Sequence, residues 1–229
     1  MTALGAQLAL LPSALAGHLV VTAVPLGVGV AISVPLGLAA VRRPWLRGPL
    51  LAAASVLQTI PGLALLALMV PILIAVGQVL APLGITVPAL GPLPAWIALG
   101  GYAMLPVVRN TVVGIEAVDP AVVEAAAAIG MTPDQIRRRV ELPLALPVVV
   151  AGIRTAAVWV VGMGTLATPV GAHSLGDYIF AGLQTRNALA VVVGCVAAAG
   201  LALAVDGALA AAEAAVRARR PGRAGAVGV

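Results

Sequence analysis

The chain has 229 residues, 62% of them hydrophobic and 9% charged, and its mean hydropathy of +1.12 is that of a membrane protein, since a soluble core cannot absorb so many apolar side chains. Its net charge of +5 comes from 13 basic residues; all are arginine and they cluster beside apolar runs, where they act as topology signals and argue against a nucleic-acid partner. The absence of lysine excludes a conventional phosphate-binding loop, so the chain is not itself an ordinary ATPase.

Residues 1–17 carry no charged side chain and lack the basic start of a signal peptide. Because Pro12 comes too early for a span, they are read as an external or interfacial segment. From His18 to Val41 the chain is continuously apolar, long enough at ~1.5 Å per residue to cross a ~30 Å hydrocarbon core. Arg42, Arg43 and Arg47 follow at once, and such a cluster marks the cytoplasm, which places the N-terminus outside.

Residues 48–108 hold no charge and accommodate two spans, expected near 50–76 and 94–114, joined by an external turn rich in proline and glycine. Gln58, Thr59 and Pro61 interrupt the first of these. Proline removes a backbone hydrogen bond, and two polar residues at membrane depth need partners. Two readings stand: the wall of a transport pathway, or a proline kink whose freed carbonyl is satisfied by Thr59 or a neighbour.

Arg109 and Asn110 close the third span, and residues 116–143 then gather five of the chain's eight acids together with three consecutive arginines. This stretch belongs in water. Asp119 and Pro120 read as an N-cap and first helical residue, opening a helix to about Ile129 that Gly130 stops in a left-handed conformation. Thr132, Pro133 and Gln135 read as a capping box for a second helix over about 133–140, ended by Leu142 and Pro143.

A fourth span is expected over 145–168 and a fifth over 188–212. Arg154 lies about ten residues into the fourth, where an arginine requires a partner or water. Asp206 lies at comparable depth in the fifth. A pair between them and snorkelling of Arg154 to the headgroups are both open. Residues 164–183, rich in glycine, are read as an external loop or re-entrant segment, and residues 216–229, with Arg217, Arg219, Arg220 and Arg223, as a basic cytoplasmic tail. Cys195 stands alone and reads as a small packed hydrophobe. His18 and His173 are too far apart in sequence for a metal motif, so no metal is expected.

Two series of residues carry a resemblance. Glu124, Ala125 and Ala126, then Gly130, then Val140, Glu141, Leu142 and Pro143 reproduce the E-A-A, three residues, G, nine residues, I-x-L-P pattern of bacterial ABC importer permeases, with valine in place of isoleucine. The stretch resembles that family's coupling helix. The resemblance implies that Glu124, Ala125, Ala126, Gly130, Leu142 and Pro143 contact a cytoplasmic ATPase subunit; the plainer alternative is a solvated loop with ordinary caps. Residues 58–61, 109–111, 138–147, 152–156 and 175–183 are similar to the osmoprotectant branch, which moves glycine betaine, choline, carnitine or proline. Where many relatives read G-A-G-G-L-G, this chain has His173 and Ser174.

The expectation is thus an all-α polytopic bundle of about five transmembrane helices in a bacterial cytoplasmic (inner) membrane, N-terminus out and C-terminus in, with permease domain 18–215 and cytoplasmic coupling helix-turn-helix 116–143. The resemblance implies two ATPase subunits, a second permease that is a copy or a paralogue, and an extracytoplasmic substrate-binding protein. No cofactor is expected on this chain and no covalent chemistry; ATP and Mg would be used by the ATPase. Gln58, Thr59, Pro61, Arg154 and Asp206 are the candidate path residues. Other readings are a permease of the same class for an amino acid or a sulfur-containing betaine, a secondary transporter or channel, and a membrane scaffold. With 3 Trp, 2 Tyr and 1 Phe in separate segments, an aromatic cage is not expected here, so solute recognition is assigned to the binding protein.

Overall fold

The computed structural model describes residues 3–218, and the tail arginines Arg219, Arg220 and Arg223 lie outside them. Nine α-helices run in order: α1 (Ala3–Arg42), α2 (Pro44–Thr59), α3 (Gly62–Leu80), α4 (Pro92–Glu116), α5 (Pro120–Ala128), α6 (Pro133–Ile136), α7 (Leu142–Gly164), α8 (Gly176–Gln184) and α9 (Ala188–Ala218). Five helical stretches are long and apolar enough to cross a membrane: 7–42, 62–83, 92–116, 133–170 and 188–215. There is no strand among the described residues. In lipid a backbone that satisfies itself locally is the form such apolar sequence can take.

The bundle is built around α4, which packs most extensively against α1 on one side and α7 on the other. Leu99, Tyr102, Ala103 and Val107 of α4 meet Val21, Leu65, Leu66, Ala156 and Val160 in the largest buried cluster. Helices in a membrane gain little from the hydrophobic effect between them and rely on close van der Waals contact, which small residues permit. At Gly37 a Cβ would come within 2.7 Å of Thr111, and at Gly152 within 2.8 Å of the Pro106 carbonyl. The side chains left outward on α1 and α9, such as Val24, Val28, Val196 and Leu203, are apolar and exposed. Cys195 is exposed on α9 and is not the packed hydrophobe expected from its apolar neighbours.

Four features depart from the sequence reading. Residues 3–17 are the first turns of α1, which continues through Pro12, Pro25 and Pro35, because losing single backbone bonds costs less than unwinding the chain in an apolar medium. The second span is not 50–76. Pro61 drives Ile60 into an extended conformation, φ −71° and ψ 127°, and so ends α2 at Thr59, leaving α3 to make the crossing. The second helix of the polar loop does not stop at Leu142 and Pro143: after α6 the chain makes one π-helical turn, Arg137–Glu141, and enters α7 directly. Residues 164–183 form a 3-10 turn (Thr165–Val170), a left-handed Gly171 and α8, where an external loop or re-entrant segment was expected.

Arg47, just inside α2, pairs with Glu116 at the end of α4, which puts the 42–47 arginines at the same end of the bundle as the 116–143 loop. At the opposite end the Gly91 amide donates to the Val170 carbonyl at 2.9 Å, tying the start of α4 to the end of the 3-10 turn that follows α7.

Candidate coupling loop and transport path

Each helix of the polar loop is started by a side-chain cap of its own. The Asp119 carboxylate accepts from the Ala121 amide at 2.8 Å with Pro120 at the first helical position. At the far end of α5 the Gly130 amide donates to the Ala127 carbonyl and the Met131 amide to Ala126, the paired bonds of a Schellman stop, with Gly130 at φ +86°. Thr132 and Gln135 exchange bonds in a capping box, 2.9 and 3.3 Å. Asp134 holds Arg137 and Arg138 at 3.3 and 2.9 Å. Glu124, Ala125 and Gly130 face outward, whereas Ala126 is buried and anchors the helix. Ile129 is 80% exposed and Val122 42%, two large apolar side chains presented outward beside Glu124 and the exposed Ala121, Ala125, Ala127 and Ala128. Leu142 is half-buried against Ile115, Ala145 and Val149 at the start of α7, with Pro143 exposed beside it.

The break between α2 and α3 is stitched to α4 by reciprocal bonds. Pro106 cannot donate to the Tyr102 carbonyl four residues earlier, and Gln58 Nε2 donates to that carbonyl at 3.0 Å. The Tyr102 hydroxyl in turn donates to the Ile60 carbonyl. Thr59 bonds back to Val56 at 2.7 Å and leaves the Pro61 turn exposed. Gln58 therefore has a structural partner as well as an exposed side; the sequence signal for it was Pro106, four residues after Tyr102.

Farther along the same face, α7 and α9 are joined by charge. Arg154 donates to Asp206 through Nε at 2.5 Å and Nη2 at 2.7 Å, a fork geometry that only arginine supplies. Glu213, seven residues beyond Asp206 and on the same face of α9, lies 3.7 Å from Arg154. Sequence reading had not singled out Glu213, although its spacing from Asp206, two helical turns, carries the signal.

Residues 23–218 match the family described as the binding-protein-dependent transport system inner membrane component. The chain belongs to this family. The permease is 38% identical over 196 residues to the choline transport system permease protein OpuBB of Bacillus subtilis, covering 86% of this chain and 83% of that one. It is 38% identical to the osmoprotectant import permease protein OsmW of Salmonella typhimurium, covering 82% and 83% of the two chains, and to the carnitine transport permease protein OpuCB of Listeria monocytogenes, covering 84% and 81%. Among solved structures it is similar to the inward-facing MetNI methionine ABC transporter, with a TM-score of 0.75 and 27% identity, over 91% of this chain and 97% of that one.

Two cavities of the permease adjoin along α7. One of about 450 Å³ is lined by Arg154, Asp206 and Glu213. The other, about 230 Å³, is lined by Gln58, Arg109 and Asn110. Thr155 and Trp159 border both. The structure thus brings Gln58 to the same strip of α7 as Arg154 and Asp206, and adds Arg109, Asn110, Thr155 and Trp159. Thr59 does not line either cavity.

At the end of the bundle away from the loop lies a polar cluster that the sequence did not announce. His18 is fully buried in α1, with Nε2 3.0 Å from the Val161 carbonyl and Nδ1 accepting from the Leu175 amide at 3.3 Å. Asp177 accepts from Thr168 at 2.7 Å and from the Ser174 amide at 3.3 Å, and pairs with His173. His173 packs so closely on α1 that a Cβ at Gly17 would approach it within 2.7 Å. No group of three metal-ligating side chains occurs among the described residues, and the cluster's hydrogen bonds give it a structural role, closing α8 onto α1 and α7.

Proposed function

We propose that this permease is a transmembrane subunit of an ATP-driven importer for osmoprotectants of the choline, carnitine and glycine betaine type. The observation that carries the solute class is the extent of its likeness to permeases named for those solutes, at 38% identity over 189 to 196 residues. The solute arrives from an external binding protein and crosses between two permeases, identical or paralogous, and ATP with Mg is consumed by two separate ATPase subunits. Loop 116–143 is the ATPase contact. Its support is the pair of exposed apolar side chains, Val122 and Ile129, beside helix starts that are capped by the loop's own residues. The N-terminus is outside and the loop, with Arg42, Arg43 and Arg47, in the cytoplasm. The path runs along the strip of α7 between the two cavities.

The test is expression of the permease with its ATPase and binding protein in cells lacking other osmoprotectant uptake. Uptake of labelled choline, carnitine or glycine betaine is expected, lost when the ATPase is disabled. A complete, co-purifying complex that carries none of the three refutes the solute class. In a Cys195→Ala background, an Arg47→Cys permease is expected to react with a membrane-impermeant maleimide only after permeabilisation; labelling of intact cells reverses the orientation.

A further inference from the structure

The smaller cavity has the chemistry of a zwitterion site. Arg109 lies seven residues inside the end of α4, exposed to the cavity, and makes no ion pair among the described residues. The acid of the adjoining cavity, Asp206, is already engaged by Arg154 through two hydrogen bonds. A guanidinium left open in this way suits a carboxylate, which it can grip through two parallel N–H bonds.

The other walls suit a cation that has no N–H. Trp159 is 50% exposed and offers an indole face of the kind that attracts quaternary ammonium groups. Gln58 and Asn110 each spend an amide N–H on a backbone carbonyl, that of Tyr102 at 3.0 Å and that of Pro106 at 2.8 Å, which fixes both side chains and leaves their oxygens without a donor among the described residues. Carbonyl oxygens and an aromatic face attract diffuse positive charge without demanding a hydrogen bond from it. Gly152 makes this arrangement possible, because a Cβ there would meet Asn110 at 2.5 Å and push α4 from α7. The volume, about 230 Å³, lies below the ~300–1,000 Å³ of ordinary ligand pockets and fits a solute of few heavy atoms.

We propose that this cavity is a transit site for a methylated-ammonium zwitterion, with the carboxylate on Arg109 and the ammonium against Trp159. The proposal rests on the osmoprotectant reading above and sharpens it: Arg109 distinguishes betaines and carnitine, which carry a carboxylate, from choline, which does not.

The experiment compares initial uptake rates of glycine betaine, carnitine and choline by the complete importer with wild-type, Arg109→Gln and Arg109→Lys permeases, each normalised to complex that co-purifies with the ATPase. Arg109→Gln is expected to reduce uptake of the two zwitterions by about tenfold or more, with Arg109→Lys keeping a third or more of the wild-type rate and choline, where carried, falling less than about threefold. The proposal is overturned if Arg109→Gln stays within about twofold of wild type, if lysine fails as badly as glutamine, or if choline falls as far as the zwitterions. A wild-type importer that carries choline and neither zwitterion also overturns it while leaving the osmoprotectant reading intact; one that carries none of the three brings down that reading instead.

Discussion

The permease satisfies its polar groups in two contrasting ways. In loop 116–143 every capping bond joins residues two to five apart, as with Asp119 to Ala121, Thr132 to Gln135 and Met131 to Ala126. At the strip between α2, α4, α7 and α9 the contacts that join different helices link residues 42 to 59 apart, as with Tyr102 to Ile60 and Arg154 to Asp206 and Glu213. The loop's helices are consequently capped from within, with only a few side chains such as Ala126 and Ile136 buried, whereas the strip exists only while the helices around it stay in register. A perturbation should therefore separate function from folding in the first region and damage both in the second.

The largest effect is expected at the ion pair. Arg154→Ala takes the cation away from Asp206 and Glu213 on α9, and Asp206→Ala leaves Arg154 with only the longer contact to Glu213; each should cut the yield of folded permease and abolish uptake, the arginine variant more, whereas the double replacement should recover part of the yield without uptake. Detergent-extracted yield and uptake are the two readouts; additive losses in the double variant would mean that the pair does not hold α7 to α9. Next comes Gly130→Val. Nothing lies within 4 Å of a Cβ there, so the cost is confined to backbone strain at φ +86°, about 1–2 kcal/mol. Uptake should drop about tenfold while membrane insertion and the melting temperature of the bundle stay put, and a fall in both would show that the loop is not independent after all. The smallest effect belongs to Tyr102→Phe, which removes the hydroxyl from the Ile60 carbonyl and should cost about 1 kcal/mol, read as a lower melting temperature. Gln58→Leu should lower it as well, by stranding the Tyr102 carbonyl, and no change in either variant would mean that the stitch contributes nothing.

The same contrast explains what the sequence could reveal. Caps, the left-handed glycine and the capping box are short-range chemistry, and all were readable at Asp119, Gly130 and Thr132. The depth of Arg154 and Asp206 was readable too, but whether they met depended on the rotation of α7 against α9, which no local pattern records. The extent of the second span was misjudged because Pro61 ends one helix inside what was read as a single interrupted span, and the Tyr102 hydroxyl that holds the broken end at Ile60 comes from 42 residues away. The glycines of 164–183 left a loop and a re-entrant segment both open, and the buried His18 that binds the Leu175 amide comes from 157 residues away. Arg109 and Trp159 became candidates only when the fold set them across one cavity.

The uninterrupted passage from α6 through the π-turn Arg137–Glu141 into α7 makes the loop's two attachments mechanically unequal. On the α4 side the link is the short turn between Glu116 and Pro120, held by the pair of Glu116 with Arg47 and by the burial of Val118; on the α7 side the helix runs on without a break. A displacement at the end of the π-turn would therefore pass into α7 and reach Arg154, about 18 Å beyond Leu142, so that the stroke would be delivered to the charged strip through continuous helix.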